Sequence, residues 1–132
     1  MSENKKILIV DDEEDAIEFV EAALADVGEF TILKATDGES GLAKAKETVP
    51  DLIVLDVQMP GKGGFDVFND LKKDPATETI KVIMLTGVAE KSGIRFSGEA
   101  MGAYFGKQPE AYIEKPVDPA QLQKTVAELL GE

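Results

Sequence analysis

Polar and apolar positions along this chain are grouped in blocks rather than alternating residue by residue. The runs Ile7–Val10, Leu52–Leu55 and Val82–Leu85 are strand-length and uncharged. They lack the period-two pattern of a half-exposed sheet, and so read as strands covered on both faces. Strands are predicted over 6–10, 31–35, 52–55, 81–85 and, briefly, at Tyr112–Ile113. Between them the apolar residues recur at helical spacing. In the segment 14–27, Ile17, Val20, Leu24 and Val27 share a stripe that Gly28 can end. Gly38 to Thr48 turns Leu42 and Ala45 inward. Phe65 to Lys73 does the same with Val67, Phe68 and Leu71, and Asp74-Pro75 stops it. Asp118 reads as an N-cap with Pro119 in the first turn of a last helix running through Leu122, Val126, Leu129 and Leu130.

Strand and helix alternating five times predicts βαβ units and an α/β fold, with a parallel sheet covered by helices on both faces. Right-handed crossovers leave few topologies, of which a doubly wound five-stranded sheet fits best. The 132 residues are the size of one domain, so a single domain over 1–132 without an output domain is expected.

Composition narrows the chemistry. A net charge of −12 repels phosphate backbones, so no direct nucleic-acid binding is expected. No apolar run is long enough for a membrane span, and the first residues lead straight into a strand rather than a leader peptide. A cytoplasmic location is the natural expectation. The sequence has neither cysteine nor histidine, which removes thiolate chemistry, imidazole bases and the common zinc sites. Carboxylates, hydroxyls, lysines and an oxygen-bound metal remain.

In an open α/β sheet, ligands collect beyond the carboxyl ends of the strands. The predicted strands deliver Asp11 and Asp12, Asp56, Thr86 and Lys115 to that edge. Singly, each has an ordinary explanation: helix-start acids for Asp11 and Asp12, a turn residue for Asp56, a strand-end turn for Thr86, a surface lysine for Lys115. Their convergence is what the ordinary explanations do not account for. Two like charges about 4 Å apart cost about 4 kcal/mol at an effective dielectric of 20. A hard divalent cation removes that cost, and an all-oxygen set favours Mg²⁺, with Mn²⁺ as a substitute. A metal and a lysine together can hold a phosphoryl group, and Asp56 is the natural carboxylate nucleophile. Thr86 offers a hydroxyl to a phosphoryl oxygen, and Gly61, Gly63 and Gly64 would let the following loop approach the ion.

Ordered motifs run nearly end to end: Ile7-Leu8-Ile9-Val10-Asp11-Asp12, Ala35-Thr36-Asp37-Gly38, Pro50-Asp51-Leu52-Ile53-Val54-Leu55-Asp56, Met59-Pro60 with Gly64, Val82-Ile83-Met84-Leu85-Thr86-Gly87, and Lys115-Pro116. In this combination the chain resembles the receiver domain of two-component response regulators. The resemblance implies a flavodoxin-like sheet of order 2-1-3-4-5. It implies direct Mg²⁺ binding by Asp12 and Asp56, binding by Asp11 through water, and a ligand from the Gln58 backbone carbonyl. It further implies phosphorylation of Asp56, a phosphoryl contact from Lys115, and a coupled shift of Thr86 and Tyr112 as a switch. The donor would be a phosphohistidine on a sensor histidine kinase or a histidine phosphotransfer protein. The chain would then promote its own Mg²⁺-dependent phosphorylation and dephosphorylation, and signal to a downstream protein, without being an enzyme in the usual sense. Docking would use the first helix, where Ala16, Phe19 and Ala23 form a second stripe with Phe19 as anchor.

Between Thr86 and Lys115 the chain is longer than the family pattern and carries Gly87, Gly93, Gly98, Gly102 and Gly106. The expected output face is therefore the part in doubt, either a longer loop with its own apolar cluster or a partner-binding insertion. Rival readings fit less well. Dehalogenase-like phosphatases place a second carboxylate where Gln58 stands, and nucleotide binders need a Gly- or Ser-rich first turn in place of Asp11-Asp12-Glu13-Glu14. A phosphate-independent interaction module on the same fold is the remaining alternative.

Overall fold

The computed structural model describes residues 5–59, 61–86, 109–115 and 117–131. In chain order its elements are β1 (Lys5–Val10), α1 (Glu14–Ala25), β2 (Phe30–Ala35), α2 (Gly38–Thr48), β3 (Leu52–Asp56), α3 (Gly64–Lys73), β4 (Lys81–Thr86), β5 (Ala111–Glu114) and α4 (Pro119–Leu130). The strands form one sheet of order β2-β1-β3-β4-β5, and every pairing is parallel. This is the α/β doubly wound fold expected above, with the same strand order. The segment 87–108, to which the expectations about a longer output face apply, lies outside the described residues.

Alternate residues of each central strand serve two cores. Leu8, Val10, Ile53, Leu55, Val82 and Met84 face α2 and α3, where Ala45, Val67, Phe68 and Leu71 cover them. Ile7, Ile9, Leu52, Val54, Ile83 and Leu85 face α1 and α4, under Ile17, Val20, Leu24, Leu122 and Val126. Both faces are apolar, which is why the strands read as unbroken apolar runs. The helix ends follow their local chemistry. The Asp37 side chain accepts from the Ser40 N–H at 2.7 Å to start α2, and Asp118 accepts from the Ala120 N–H at 3.1 Å to start α4.

The structure moves some boundaries. Helix α1 ends at Ala25 rather than Val27, because its last turn tightens, with Asp26 N–H on Ala23 O and Val27 N–H on Leu24 O. Helix α2 keeps its expected end at Thr48, but its C-cap Val49 is left-handed, φ 44°, which nothing in a β-branched residue announces. Strands β3 and β4 each run one residue further than expected, to Asp56 and Thr86. Both polar residues are thereby fixed by the sheet rather than by loops.

Candidate functional site

The chain turns to opposite sides of β1 from β2 and β3, so a crevice opens beyond the carboxyl ends of β1 and β3. Asp11 is the first residue after β1, anchored by its N–H on Ala35 O at 3.1 Å. Asp56 is the last residue of β3, opposite Leu85 of β4, and the next N–H, that of Val57, bonds Leu85 O at 3.0 Å. Each is almost wholly buried, Asp11 at 1% and Asp56 at 3% exposure. Asp12 is exposed beside them, and one carboxylate oxygen from each of the three lies within 4.8 Å of the others.

Lys115, just after β5, ties this group together. Its Nζ lies 3.1 Å from Asp11 Oδ2 and 3.2 Å from Asp56 Oδ1. Its backbone N–H donates to Thr86 O at 2.6 Å, so β4 fixes where the ammonium starts from. Asp11 uses its other oxygen, Oδ1, to accept the Glu13 N–H at 3.0 Å. Asp11 thus braces the turn before α1 with one oxygen and meets Lys115 with the other.

The electrostatics follow from burial. Desolvation lifts the Asp56 carboxyl from 3.8 to about 6, with repulsion from Asp11 adding to it, while Lys115 and the Gln58 backbone N–H pull the other way. For Lys115, burial lowers the affinity for a proton, but Asp56 and Asp11 outweigh it and hold the ammonium above the usual lysine range. One lysine does not balance three carboxylates. A site of three oxygen ligands, two of them buried and unable to escape to solvent, fits a hard divalent cation. The chemistry of the donor set, oxygen only, is consistent with Mg²⁺.

The other residues fall around this centre. Thr86 is buried at the end of β4, one residue past the partner of Asp56. The Gln58 side chain is exposed, and its backbone faces the Asp56 carboxylate. Tyr112 is partly buried against the α2–α3 core, and burial pushes its hydroxyl up to about 12.

Two expectations need correction. Of the three glycines thought to admit the loop, only Gly64 is needed at the site itself. A Cβ there would sit 2.3 Å from Asp56 O and 2.8 Å from Val57 Cα, whereas Gly61 is a left-handed turn, φ 73°, with open space around it. The proposed stripe on α1 also breaks. Phe19 is 44% exposed and Ala16 is half-buried, but Ala23 is buried in the α1–α4 core at 6% exposure. Helix α4 covers it, with the Gln123 side chain donating to Ala23 O at 3.0 Å. Phe19 instead borders an open, largely apolar hollow of about 360 Å³ shared with Ala16, Val20, Leu85, Val117 and Lys115. That hollow, which brings Phe19 and the site lysine to one surface, was not foreseen. Its signal, Val117 two residues beyond Lys115, is weak without the fold.

A profile of the response regulator receiver domain matches residues 7–127, nearly the whole chain. The chain belongs to the response regulator receiver family. Response regulator PleD of Caulobacter vibrioides is 37% identical over 124 residues, which make up 94% of this chain and 26% of PleD. The receiver domain thus spans about a quarter of that longer relative. Protein PilH of Pseudomonas aeruginosa is 35% identical over 96% of this receiver domain and 98% of PilH. The crystal structure of a putative response regulator from Chloroflexus aurantiacus superposes with a TM-score of 0.81 at 28% identity, covering 98% of this chain and 100% of that one. Receiver domains interact with histidine kinases or phosphotransfer proteins, and bind Mg²⁺ at an acidic pocket of the kind that Asp11, Asp12 and Asp56 form here. Among the described residues, no helix is long and apolar enough to cross a membrane.

Proposed function

We propose that this receiver domain accepts a phosphoryl group on Asp56 from a phosphohistidine donor and passes the signal on by protein contact. The observation that carries the reading is the bridge of Lys115 to both Asp11 and Asp56 within a three-carboxylate cluster at the sheet's carboxyl edge. Asp11, Asp12, Asp56 and the backbone carbonyl of Gln58 would hold Mg²⁺. When bound, the ion neutralises charge building on the transferred group.

The residues of the chain do the rest. With its carboxyl titrating near 6, Asp56 is largely ionised at pH 7.5 and available as a nucleophile. A carboxylate oxygen attacks phosphorus, an O–P bond forms, and the N–P bond to the donor imidazole breaks with its electron pair left on nitrogen. Lys115 would pair with a phosphoryl oxygen in exchange for its contact with Asp56, and Thr86 would donate a hydroxyl to another. Hydrolysis by water returns the Asp56 carboxylate and inorganic phosphate. The Phe19 hollow, which opens beside Lys115, is the surface on which a kinase or phosphotransfer protein would dock. Tyr112, beside β4, would follow Thr86 as the switch.

Incubation with Mg²⁺ and acetyl phosphate, read by intact mass, tests the reading. One Mg²⁺-dependent phosphoryl adduct is expected on the wild type and none on Asp56→Ala. Absence of the adduct, together with no response of Tyr112 fluorescence to beryllofluoride and Mg²⁺, would sink the proposal in favour of a phosphate-independent module.

A further inference from the structure

We propose that Gly38, the first residue of α2, is a positioning residue for the loop that carries Gln58 past Asp56. The inference rests on the reading of Asp56 as a Mg²⁺-assisted phosphoryl acceptor.

Gly38 belongs to a different crossover from the loop. It is buried, and a Cβ built on it would lie 2.2 Å from the backbone oxygen of Lys62, 3.0 Å from Lys62 Cβ and 3.0 Å from Val67 Cγ2. The side-chain contacts could give way, but the carbonyl cannot move unless the loop moves. Backbone conformation does not demand glycine here, since the positive φ angles among the described glycines are at Gly61 and Gly131. Helix propensity alone would favour alanine. What excludes a side chain at position 38 is the loop lying against it.

The loop has little freedom to absorb a push. At its far end the Gly64 N–H bonds Val57 O at 3.0 Å, and Gly64 itself lies against the Asp56 backbone. Lys62 is tied on its other side to Asp70 at 2.5 Å. Displacement of the Lys62 peptide is therefore passed through Gly63 and Gly64 to the Val57 carbonyl, one residue before Gln58, whose backbone N–H bonds the Asp56 carboxylate. The start of α2 thus acts as a wall that fixes the height of the loop over the acidic pocket. A shift of this outer support alters ligand placement without removing a ligand.

The test compares wild type, Gly38→Ala and Gly41→Ala by Mg²⁺ titration calorimetry and by hydrogen exchange of the metal-free proteins. Gly41 is the control, because it is buried on the same helix but the three atoms nearest its added Cβ all belong to the Val10 side chain, from 2.8 Å. Gly38→Ala is expected to weaken Mg²⁺ binding on the order of tenfold and to speed exchange at the Gly64 amide. Gly41→Ala should lose stability while keeping wild-type Mg²⁺ affinity. Wild-type affinity and exchange in Gly38→Ala would overturn the proposal. If Gly38→Ala alone does not fold, adding Val67→Ala clears a side-chain contact while the Lys62 carbonyl stays, and affinity and exchange equal to those of Val67→Ala would overturn the proposal equally. A wild type that binds no Mg²⁺ would instead overturn the phosphoryl-acceptor reading, and the exchange comparison would still decide the role of Gly38.

Discussion

A buried carboxylate that titrates near 6 makes metal-free receiver stability depend on pH in a defined direction. The perturbation is Asp56→Asn, which keeps shape and removes charge. In the folded chain Asp56 holds its proton to about 6 instead of 3.8, first because it is buried and then because Asp11 repels its charge. A folded value above the unfolded one means that the folded state binds the proton more tightly. Below about pH 4 both states are protonated and the group costs nothing. From there to about pH 6 the unfolded chain ionises first and stability falls. Above that the loss is complete, and the gap between 3.8 and about 6 amounts to about 3 kcal/mol. Asp56→Asn escapes this loss, so at pH 8 it should be the more stable protein, with Tm raised on the order of 10 °C for a domain of this size. The assay is urea unfolding in the presence of chelator at pH 4, 6 and 8, comparing midpoints at constant m-value. The difference should be near zero at pH 4 and largest at pH 8. Added Mg²⁺ should then stabilise the wild type and leave the variant nearly unmoved. A gap that is independent of pH, or a wild type more stable at pH 8 without metal, would refute the account of a strained pocket.

Other expectations are simpler. Phe19→Ala should slow transfer from a phosphohistidine donor several-fold and leave labelling by acetyl phosphate unchanged; equal loss of both would remove Phe19 from the docking surface. Lys115→Ala leaves two buried carboxylates without their shared cation, so it should destabilise the metal-free protein by about 3 kcal/mol at pH 8 and less at pH 4, and it should abolish the phosphoryl adduct by intact mass. Gly64→Ala forces a Cβ against the Asp56 carbonyl and should cost about 3 kcal/mol in urea unfolding. Thr77→Val removes a buried hydroxyl that donates to Leu71 O at 2.7 Å, and should cost about 1 kcal/mol with Mg²⁺ binding untouched.

The fold was legible because its strands are buried on both faces, and such strands leave apolar runs that survive any detail of packing. The site was legible for a related reason. Each carboxyl end of a parallel strand points to the same edge, so Asp11, Asp56, Thr86 and Lys115 could be brought together without knowing a distance. What could not be read were contacts decided by a third element. Ala23 is apolar and small, and only α4 lying over α1 shows that it is core rather than surface. Gly61, Gly63 and Gly64 look equivalent in a loop, yet only the position of the β3 backbone separates the one that must lack a side chain. That Lys115 reaches Asp11 as well as Asp56 spans 104 positions of sequence, and depends on β5 standing where β4 puts it.

The same arrangement explains why instability is tolerated at this edge. Two buried aspartates with one lysine between them are a poor way to stabilise a domain, since desolvation exceeds what a single ion pair returns. The loss is confined, however, to residues that the sheet holds by backbone bonds, Asp11 through Ala35 and the Asp56–Val57 junction through Leu85. Strand pairing therefore keeps the carboxylates in place whether or not their charge is balanced. A cation or a phosphoryl group arriving there meets ligands that need not be gathered, and binding relieves repulsion already present in the folded chain. Thr86 stands at the same edge, its carbonyl accepting the Lys115 N–H at 2.6 Å, so the ammonium that meets both aspartates starts from the end of β4. On the proposed function, the β4–β5 junction, with Tyr112 opposite Met84, is where a change of charge balance at Asp56 would first be felt.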